Sequence, residues 1–350
     1  MQILKRGIIM AVILLSLISI LLVTFYFWGS AKTIPSNQLS EIVRFSTNQP
    51  LIPPEQKVFT LMTFNIGYLS GIYNNRPVKT TKSLFENNLN SFTRLVDQIQ
   101  PDFIQFQEID FASHRSYFID QFRETAEKTR YGFGARAINW DKRYVPFPFG
   151  FPSVHFGKIL SGQAVLSRNP ILYAERIVLE KPKSNTFIYN AFYLDRLAQV
   201  VKIKLNNHIL VIINVHLEAF HTQTREKQAH SVLDIFHKYK NEFPVILCGD
   251  FNTVPPNAPS KKNFTDEPET DFSSDRTLDI LLNDISLEAA ELSILTFPSD
   301  KPTRKLDYIF FNKDKIHPIE ITAPKITCSD HYPLVFKFSF KDEKKTEKDS

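Results

Sequence analysis

From Gly7 to Trp28 the chain reads GIIMAVILLSLISILLVTFYFW without a single charged side chain. A run of that length matches the roughly 20 residues that a helix needs to cross a bilayer, and it exceeds the usual apolar core of a signal peptide. Lys5 and Arg6 precede it, which keeps the N-terminus cytoplasmic and sends the remainder to the extracytoplasmic side. Tyr26 and Trp28 suit the boundary between lipid and water. The competing reading is a cleaved signal and a secreted product, because Gly29-Ser30-Ala31 offers small residues to a protease. The length of the run favours an uncleaved anchor over residues 1–31, with the membrane as its partner through residues 7–28. Either way the globular part is exported.

Hydrophobic residues make up 43% of the chain, and its 31 phenylalanines fit a thick, layered interior. The formal charge of +5 is unevenly placed: Lys5, Arg6 and Lys32 face no acid near the N-terminus, while the body is nearly balanced. A nearly neutral body does not advertise a polyanion-binding surface. Cys248 and Cys328 cannot make a disulfide framework, and each sits at the edge of an apolar run as a small buried residue would. No CxxC or Cys/His cluster suggests zinc.

Residues 32–56 are polar and proline-containing and read as a tether. Residues 57–340 carry regular patterns, and 341–350 form a charged, solvated tail. VFTLMTFNI is a strand ending at Asn65, and DFIQFQE is a strand with Glu108 just past its end. Phe85, Leu89, Phe92, Val96 and Ile99 recur at spacings of four and three, which predicts a helix over 83–99 ahead of Pro101. Further strands are expected at GQAVLS, LAQVVKIKL, HILVIINVH, PVILCGD, LDYIFF and PLVFKFSF, and helices near 115–128, 223–240 and 276–284. Residues 139–160, rich in aromatics and proline, and 255–275, strongly polar, break the rhythm as loops. Strands and helices mix without strict alternation, and strands 197–205 and 208–216 are close enough for a hairpin. The pattern fits a mixed-sheet α/β sandwich, two packed sheets flanked by helices, better than a doubly wound sheet or a barrel.

The strands share one habit: apolar runs meet polar residues at their ends. Asn65 follows LMTF, Glu108 follows FIQFQ, His216 follows LVIINV, and Asp250 and Asn252 follow VILCG. Asp307 opens DYIFF, and Asp330-His331 precedes YPLVF. Gly249 allows a close approach to the backbone, and continued strand geometry would point Asp250 and Asn252 to one side. Each residue alone has a bland reading as a cap, a turn or a satisfied core histidine, but gathered on one rim they form a site. Neither a Ser or Cys nucleophile in a triad setting nor a glycine-rich phosphate loop accompanies them. Oxygen ligands without thiolates favour a hard cation such as Mg2+, Mn2+ or Ca2+. Carboxylates and imidazoles around such an ion suit hydrolysis of a phosphate ester.

The motifs TFNIG, IQFQEID, SGQAVLSR, NVHLEAF, CGDFN, LDYIFF and SDHYPLVF, in this order over roughly residues 57–340, resemble the endonuclease/exonuclease/phosphatase superfamily of DNase I-like metal-dependent phosphoesterases. The resemblance implies an enzyme that depends on Mg2+, or Mn2+, and attacks phosphorus with water. It implies Glu108 as principal metal ligand, with Asn65 beside it and Asp330 completing the metal environment. Asp250 would activate the water, Asn252 would support it, and His331 would stabilise phosphoryl charge while Asp307 orients the ring. His216 would be a second imidazole on the scissile phosphate, and its acidic partner is not evident. Some abasic-site enzymes carry an aspartate two residues after the first asparagine; Gly67 stands there here, which weakens that branch. The anchor and the apolar FPFGFPSVHFG segment favour a lipid or other membrane-proximal phosphoester. An exported, tethered nuclease acting on nucleic acid and an inactive binding protein are the alternatives, and nothing points to a protein partner.

Overall fold

The computed structural model describes residues 2–45 and 51–341. Its strands are β1 (Ser40–Arg44), β2 (Val58–Asn65), β3 (Phe103–Asp110), β4 (Phe133–Val145), β5 (Gly157–Ser167), β6 (Ile171–Val178), β7 (Leu197–Leu205), β8 (His208–His216), β9 (Val245–Asp250), β10 (Leu287–Ala289), β11 (Asp307–Asn312), β12 (Ile316–Thr322) and β13 (Leu334–Phe340). The helices are α1 (Gln2–Ser30), α2 (Lys82–Ile99), α3 (Gln121–Thr129), α4 (Phe187–Phe192), α5 (Thr222–Tyr239) and α6 (Thr277–Leu282). The strands form a seven-stranded sheet, β1-β4-β5-β3-β2-β13-β12, and a six-stranded sheet, β10-β11-β9-β8-β7-β6.

Alternation along each strand explains how the sheets pack. Leu61, Phe103, Val165 and Phe336 of the first sheet meet Val201, Ile212, Ile246 and Ile309 of the second in one apolar layer. The opposite face of the first sheet, with Met62, Phe64, Ile104 and Phe106, is covered by Phe85, Leu89, Phe92 and Val96 of α2 and Phe122 of α3. Val211, Ile213, Val245 and Leu247 of the second sheet are covered by Val232 and Phe236 of α5 and by Leu278 and Leu281 of α6. The result is the mixed α/β sandwich that the sequence pattern implies. Cys248 and Cys328 are free thiols buried within it.

Two parallel pairs set the direction of everything else: β2 with β3, and β8 with β9. Each pair is joined through a long helix, α2 or α5, so the C-terminal ends of its strands lie together. β11 runs antiparallel to β9 and β13 antiparallel to β2, which brings the starts of both strands to those same ends. Below this rim a buried amide layer ties the sheets together. Gln107 donates to Asn214 Oδ1 at 2.6 Å, and Asn214 Nδ2 donates to Phe106 O at 3.0 Å and Gln199 Oε1 at 3.1 Å.

Several elements depart from expectation. The irregular stretch read at 139–160 is shorter, because β4 and β5 run into it from both sides and leave residues 146–156 as the loop. β6 carries Tyr173, Glu175 and Arg176 on a sheet edge, so it has no continuous apolar run to announce it. α4 spans six residues, too few to show a helical period.

The segment 32–56 is not the plain tether expected, although its residues 46–50, like 342–350 of the tail, lie outside the described residues. Asp141 of β4 accepts from Thr33 N at 2.9 and 2.8 Å, from Thr33 Oγ1 at 2.5 Å and from Ile34 N at 3.0 Å. Arg143 N then donates to Ala31 O, and β1 pairs along the edge of β4. An open strand edge and one buried carboxylate therefore hold the chain that leaves α1. Replacing Asp141→Ala strands these donors, and an unsatisfied buried group costs about 1–3 kcal/mol. The expected result is a stability loss of that size in denaturant melts together with faster amide exchange at Thr33 and Ile34; unchanged exchange there would contradict the clamp.

Candidate functional site

Register builds the site. His216 at the end of β8 lies opposite Asp250 of β9, and Asp250 lies opposite Asp307 at the start of β11. Gly249, beside Asp250, has φ +138° and packs against the Val215 backbone so closely that no Cβ would fit. On the first sheet, Asn65 ends β2, and Glu108 sits inside β3 rather than past its end. The pairing of β3 with β5 shifts between Phe106 and Ile109, and Glu108 takes a left-handed φ of 51° at this irregularity. Bulges of this kind re-aim a side chain, and left-handed backbone at a non-glycine residue costs about 1–3 kcal/mol.

The polar side chains from both sheets then meet. Asn65 Nδ2 donates to Asp250 Oδ2 at 2.9 Å and stands 3.4 Å from His331 Nε2. His331 Nδ1 contacts Asp307 Oδ2 at 2.9 Å, and its Nε2 is 3.8 Å from Asp250 Oδ2. His216 Nε2 lies 3.7 Å from Asp250 Oδ2 and 3.8 Å from Glu108 Oε1. Asp330 and Glu108 converge on one amide: Asn74 Nδ2 donates to Glu108 Oε2 at 2.9 Å and to Asp330 Oδ2 at 3.1 Å. All eight residues singled out in the sequence thus occupy one rim.

Two details differ from the strand-end picture. β9 stops at Asp250, and Asn252 takes φ 51°, so strand alternation does not align the two side chains. The pair is joined locally instead: Asn252 N donates to Asp250 Oδ1 at 2.9 Å, and Asn252 Nδ2 donates to Leu217 O at 3.0 Å. Asn65 also turns its amide toward Asp250 rather than toward Glu108. A Cβ on Gly67 would come within 2.7 Å of Asp330 Oδ1 and 2.9 Å of Ser329 Oγ, so an aspartate has no room there.

Burial makes these charges matter. Burial opposes the charge on His331, yet the carboxylates of Asp307, Asp250 and Asp330 outweigh it and hold the imidazole well above its ordinary pKa. Burial raises Asp250, His331 pulls it back down, and the nearby Asp307 raises it again. Burial likewise raises Asp330, with Glu108 adding to the effect. His216 goes the other way: burial, then Arg196, then His331 push it well below the usual imidazole value.

Sequence reading missed the groups behind these residues. Asn74 comes from a loop with no pattern of its own. Arg196 Nη1 donates to His216 Nε2 at 2.5 Å and Arg196 Nη2 to Tyr193 Oη at 3.1 Å, with Glu218 Oε2 3.6 Å from its Nε. The partner of His216 is therefore a guanidinium backed by a carboxylate. Its one sequence signal is an arginine just before the strand whose Leu197 pairs with His216. Tyr68 is buried under Arg115, whose Cζ sits 3.2 Å from the ring centroid while its Nη2 pairs with Asp110 at 2.9 Å.

The model of the endonuclease/exonuclease/phosphatase family matches residues 62–331. The chain belongs to this family. Solved structures agree on the fold. A family member from Beutenbergia cavernae matches with TM-score 0.56 and 17% identity over 81% of this chain and 72% of its own. The human Nocturnin catalytic domain with bound sulfate matches with TM-score 0.52 and 17% identity over 88% of this chain and 100% of its own. A mannosyl-6-phosphatase from Bacteroides thetaiotaomicron matches with TM-score 0.55 and 16% identity over 81% and 100%. No curated protein matches the chain. The family is metal-dependent, and Asp250, Asp307 and His331 present ligand atoms within 4.8 Å of one another.

Arg196 is the buried cation on which the second sheet's half of the rim leans. Removing one member of such a pair costs about 3–5 kcal/mol, whereas removing both often costs far less. Arg196→Met is expected to lower stability on that scale, and the double variant Arg196→Met/Glu218→Leu to recover part of the loss in urea melts. Additive losses would show that the two residues do not act as a pair.

Proposed function

We propose that the chain is a metal-dependent phosphoesterase acting on a lipid or other membrane-proximal phosphate ester, anchored by α1 with its catalytic domain on the extracytoplasmic side. One observation supports the substrate class. A cavity of about 670 Å3 beside the rim is lined by Asn74, Tyr68 and Arg76 on one side and by Val154, His155 and Phe156 on the other. The second wall belongs to the 146–156 loop, whose Phe149 and Phe151 are 82% and 83% exposed. The space next to the site is thus bounded by a segment with a large apolar surface, and α1 is long and apolar enough to span a bilayer.

The residues fit a hard cation. Glu108 and Asp330 bring two carboxylates to one amide hydrogen-bond donor, with no thiolate near, and such like-charge convergence favours a divalent ion with oxygen ligands. The Asp250, Asp307 and His331 cluster fits less well, because Asn65 and the His331–Asp307 contact already engage it. Glu108 and Asp330 would hold Mg2+ or Mn2+, with Asn65 nearby. When bound, the ion supplies charge to stabilise a phosphoryl oxygen.

The chain's own groups supply the rest. Asp250 accepts the proton of an attacking water, with Asn65 and the Asn252 N–H fixing its two oxygens. Asn252 keeps its side-chain oxygen to accept from that water while its Nδ2 is tied to Leu217. His331, kept protonated by Asp307, donates Nε2–H to the phosphoryl group in flight. The role expected of His216 as a second imidazole passes to the Arg196–His216 pair: the ring accepts from the guanidinium and aims that fixed positive charge at the rim.

The test offers the full chain in lipid nanodiscs matched panels of sphingomyelin, glycerophospholipids, phosphoinositides, plasmid DNA and RNA, with Mg2+ or Mn2+ and with EDTA. Metal-dependent release from a lipid is expected. Asp250→Ala and His331→Ala are each expected to slow it at least 100-fold, the lower end of general acid–base contributions (~10²–10⁴), with the fold retained by circular dichroism at the assay temperature. Cleavage of nucleic acid alone would make the chain a tethered nuclease, with Arg76, Lys79 and Lys82 of the cavity lining then serving a polyanion. Full activity in both variants would remove the assignment of the rim.

A further inference from the structure

We propose that Phe149, Phe151, Phe187 and Ile188 form a foot that enters the lipid interface around the exit of α1, so that the domain rests on the bilayer in one fixed orientation. The inference rests on α1 being a retained membrane span, and it deepens the substrate reading above.

The height of the membrane surface follows from α1. The uncharged run Gly7–Trp28 at 1.5 Å per residue is about 33 Å long, against about 30 Å of hydrocarbon in a bilayer. Its end therefore lies at the interface, and there the helix meets the domain. Phe25 stacks on Phe192 of α4, with ring centroids 6.1 Å apart and planes at 17°. Tyr26 meets Phe187 edge-on at 6.1 Å, and Tyr144 of β4 lies 5.8 Å from Phe25 and 6.2 Å from Trp28. Gly29 is buried, and a Cβ there would come within 3.1 Å of the Phe192 ring. Followed at once by the Asp141 clamp, this junction leaves little slack between the span and the domain.

Whatever surrounds the junction lies at the same height. Phe187 and Ile188 of α4 are 72% and 53% exposed. Tyr144 Oη is 2.8 Å from His155 Nδ1, and His155 Nε2 is 3.2 Å from Gly150 O, the residue between Phe149 and Phe151. Phe187 thus touches Tyr26 of α1 itself, and the backbone between Phe149 and Phe151 is joined through His155 to Tyr144, which packs on α1. A soluble surface rarely gathers large apolar side chains in this way, and aromatic residues at the end of a span favour the interface. The same linkage continues inward: Tyr193 follows α4 and accepts from Arg196, which donates to His216. The foot and the catalytic rim are therefore a few side chains apart.

The experiment uses the full chain in phosphatidylcholine vesicles, with a nitroxide on Phe151→Cys or Phe187→Cys. The native Cys248 and Cys328 are buried, which leaves the new thiol as the one to label. Ile285→Cys, at a position 84% exposed beyond α6, is the water reference. We expect both test labels to show several-fold fewer collisions with a water-soluble nickel complex than the reference, and more with oxygen. Collision rates equal to the reference would overturn the foot, as would spin–spin broadening in place of lipid contact, which would assign the surface to a second copy of the chain. A paired measurement separates this from the substrate reading. Phe149→Ser/Phe151→Ser is expected to lose activity on a bilayer phospholipid and keep it on a short-chain, water-soluble ester of the same headgroup. Shielded labels without any lipid hydrolysis would preserve the foot and overturn only the substrate.

Discussion

Four carboxylates and two imidazoles are drawn out of water onto one rim, and the rest of the molecule is arranged to make that tolerable. A buried charge survives only when paired, hydrogen-bonded or neutralised. Each is answered differently. His331 takes its charge from Asp307, Asp250 is held by amide donors, and His216 is kept neutral beside Arg196. Glu108 and Asp330 share only the Asn74 amide as a common donor, and that under-compensated pair is the proposed seat of the cation.

The sandwich makes this convergence possible. Two parallel strand pairs, one in each sheet, end on the same side, and antiparallel neighbours start there. The Gln107–Asn214–Gln199 layer under the rim locks the sheets at a fixed spacing, so groups from β2 and β9 can meet at hydrogen-bond distance. The left-handed backbone at Glu108 and Asn252 completes the geometry that straight strands would miss. On the far side of Arg196, the same rigid connections run through Tyr193 and α4 to the end of α1.

The sequence showed most core strands, though not β4, with the long helices and the eight rim residues, because each is written locally: an apolar run, a helical period, a polar residue where a run stops. Asn214 was visible as part of NVHL, but its work between two sheets was not. Arg196 could not be matched to His216, because that contact depends on how β7 registers with β8 and not on any spacing. Asn74 and β1 were lost for the same reason: each is defined by a partner elsewhere, Glu108 and Asp330 for one and the edge of β4 for the other. Residues 32–44 look like a tether by composition, and only Asp141, more than 100 residues away, makes them a clamp. The Asp-Phe-Asn motif is a partial case, since the two polar residues do cooperate, through a left-handed turn and not through strand alternation.

The most direct test of this electrostatic account is the position of Mn2+ in anomalous diffraction from crystals of the full chain. The expected peak lies between Glu108 and Asp330, displacing the Asn74 amide, with the His331–Asp307 contact intact. A single peak among Asp250, Asp307 and His331 would contradict it, because the groups assigned to the water and to phosphoryl charge would then be ligands instead.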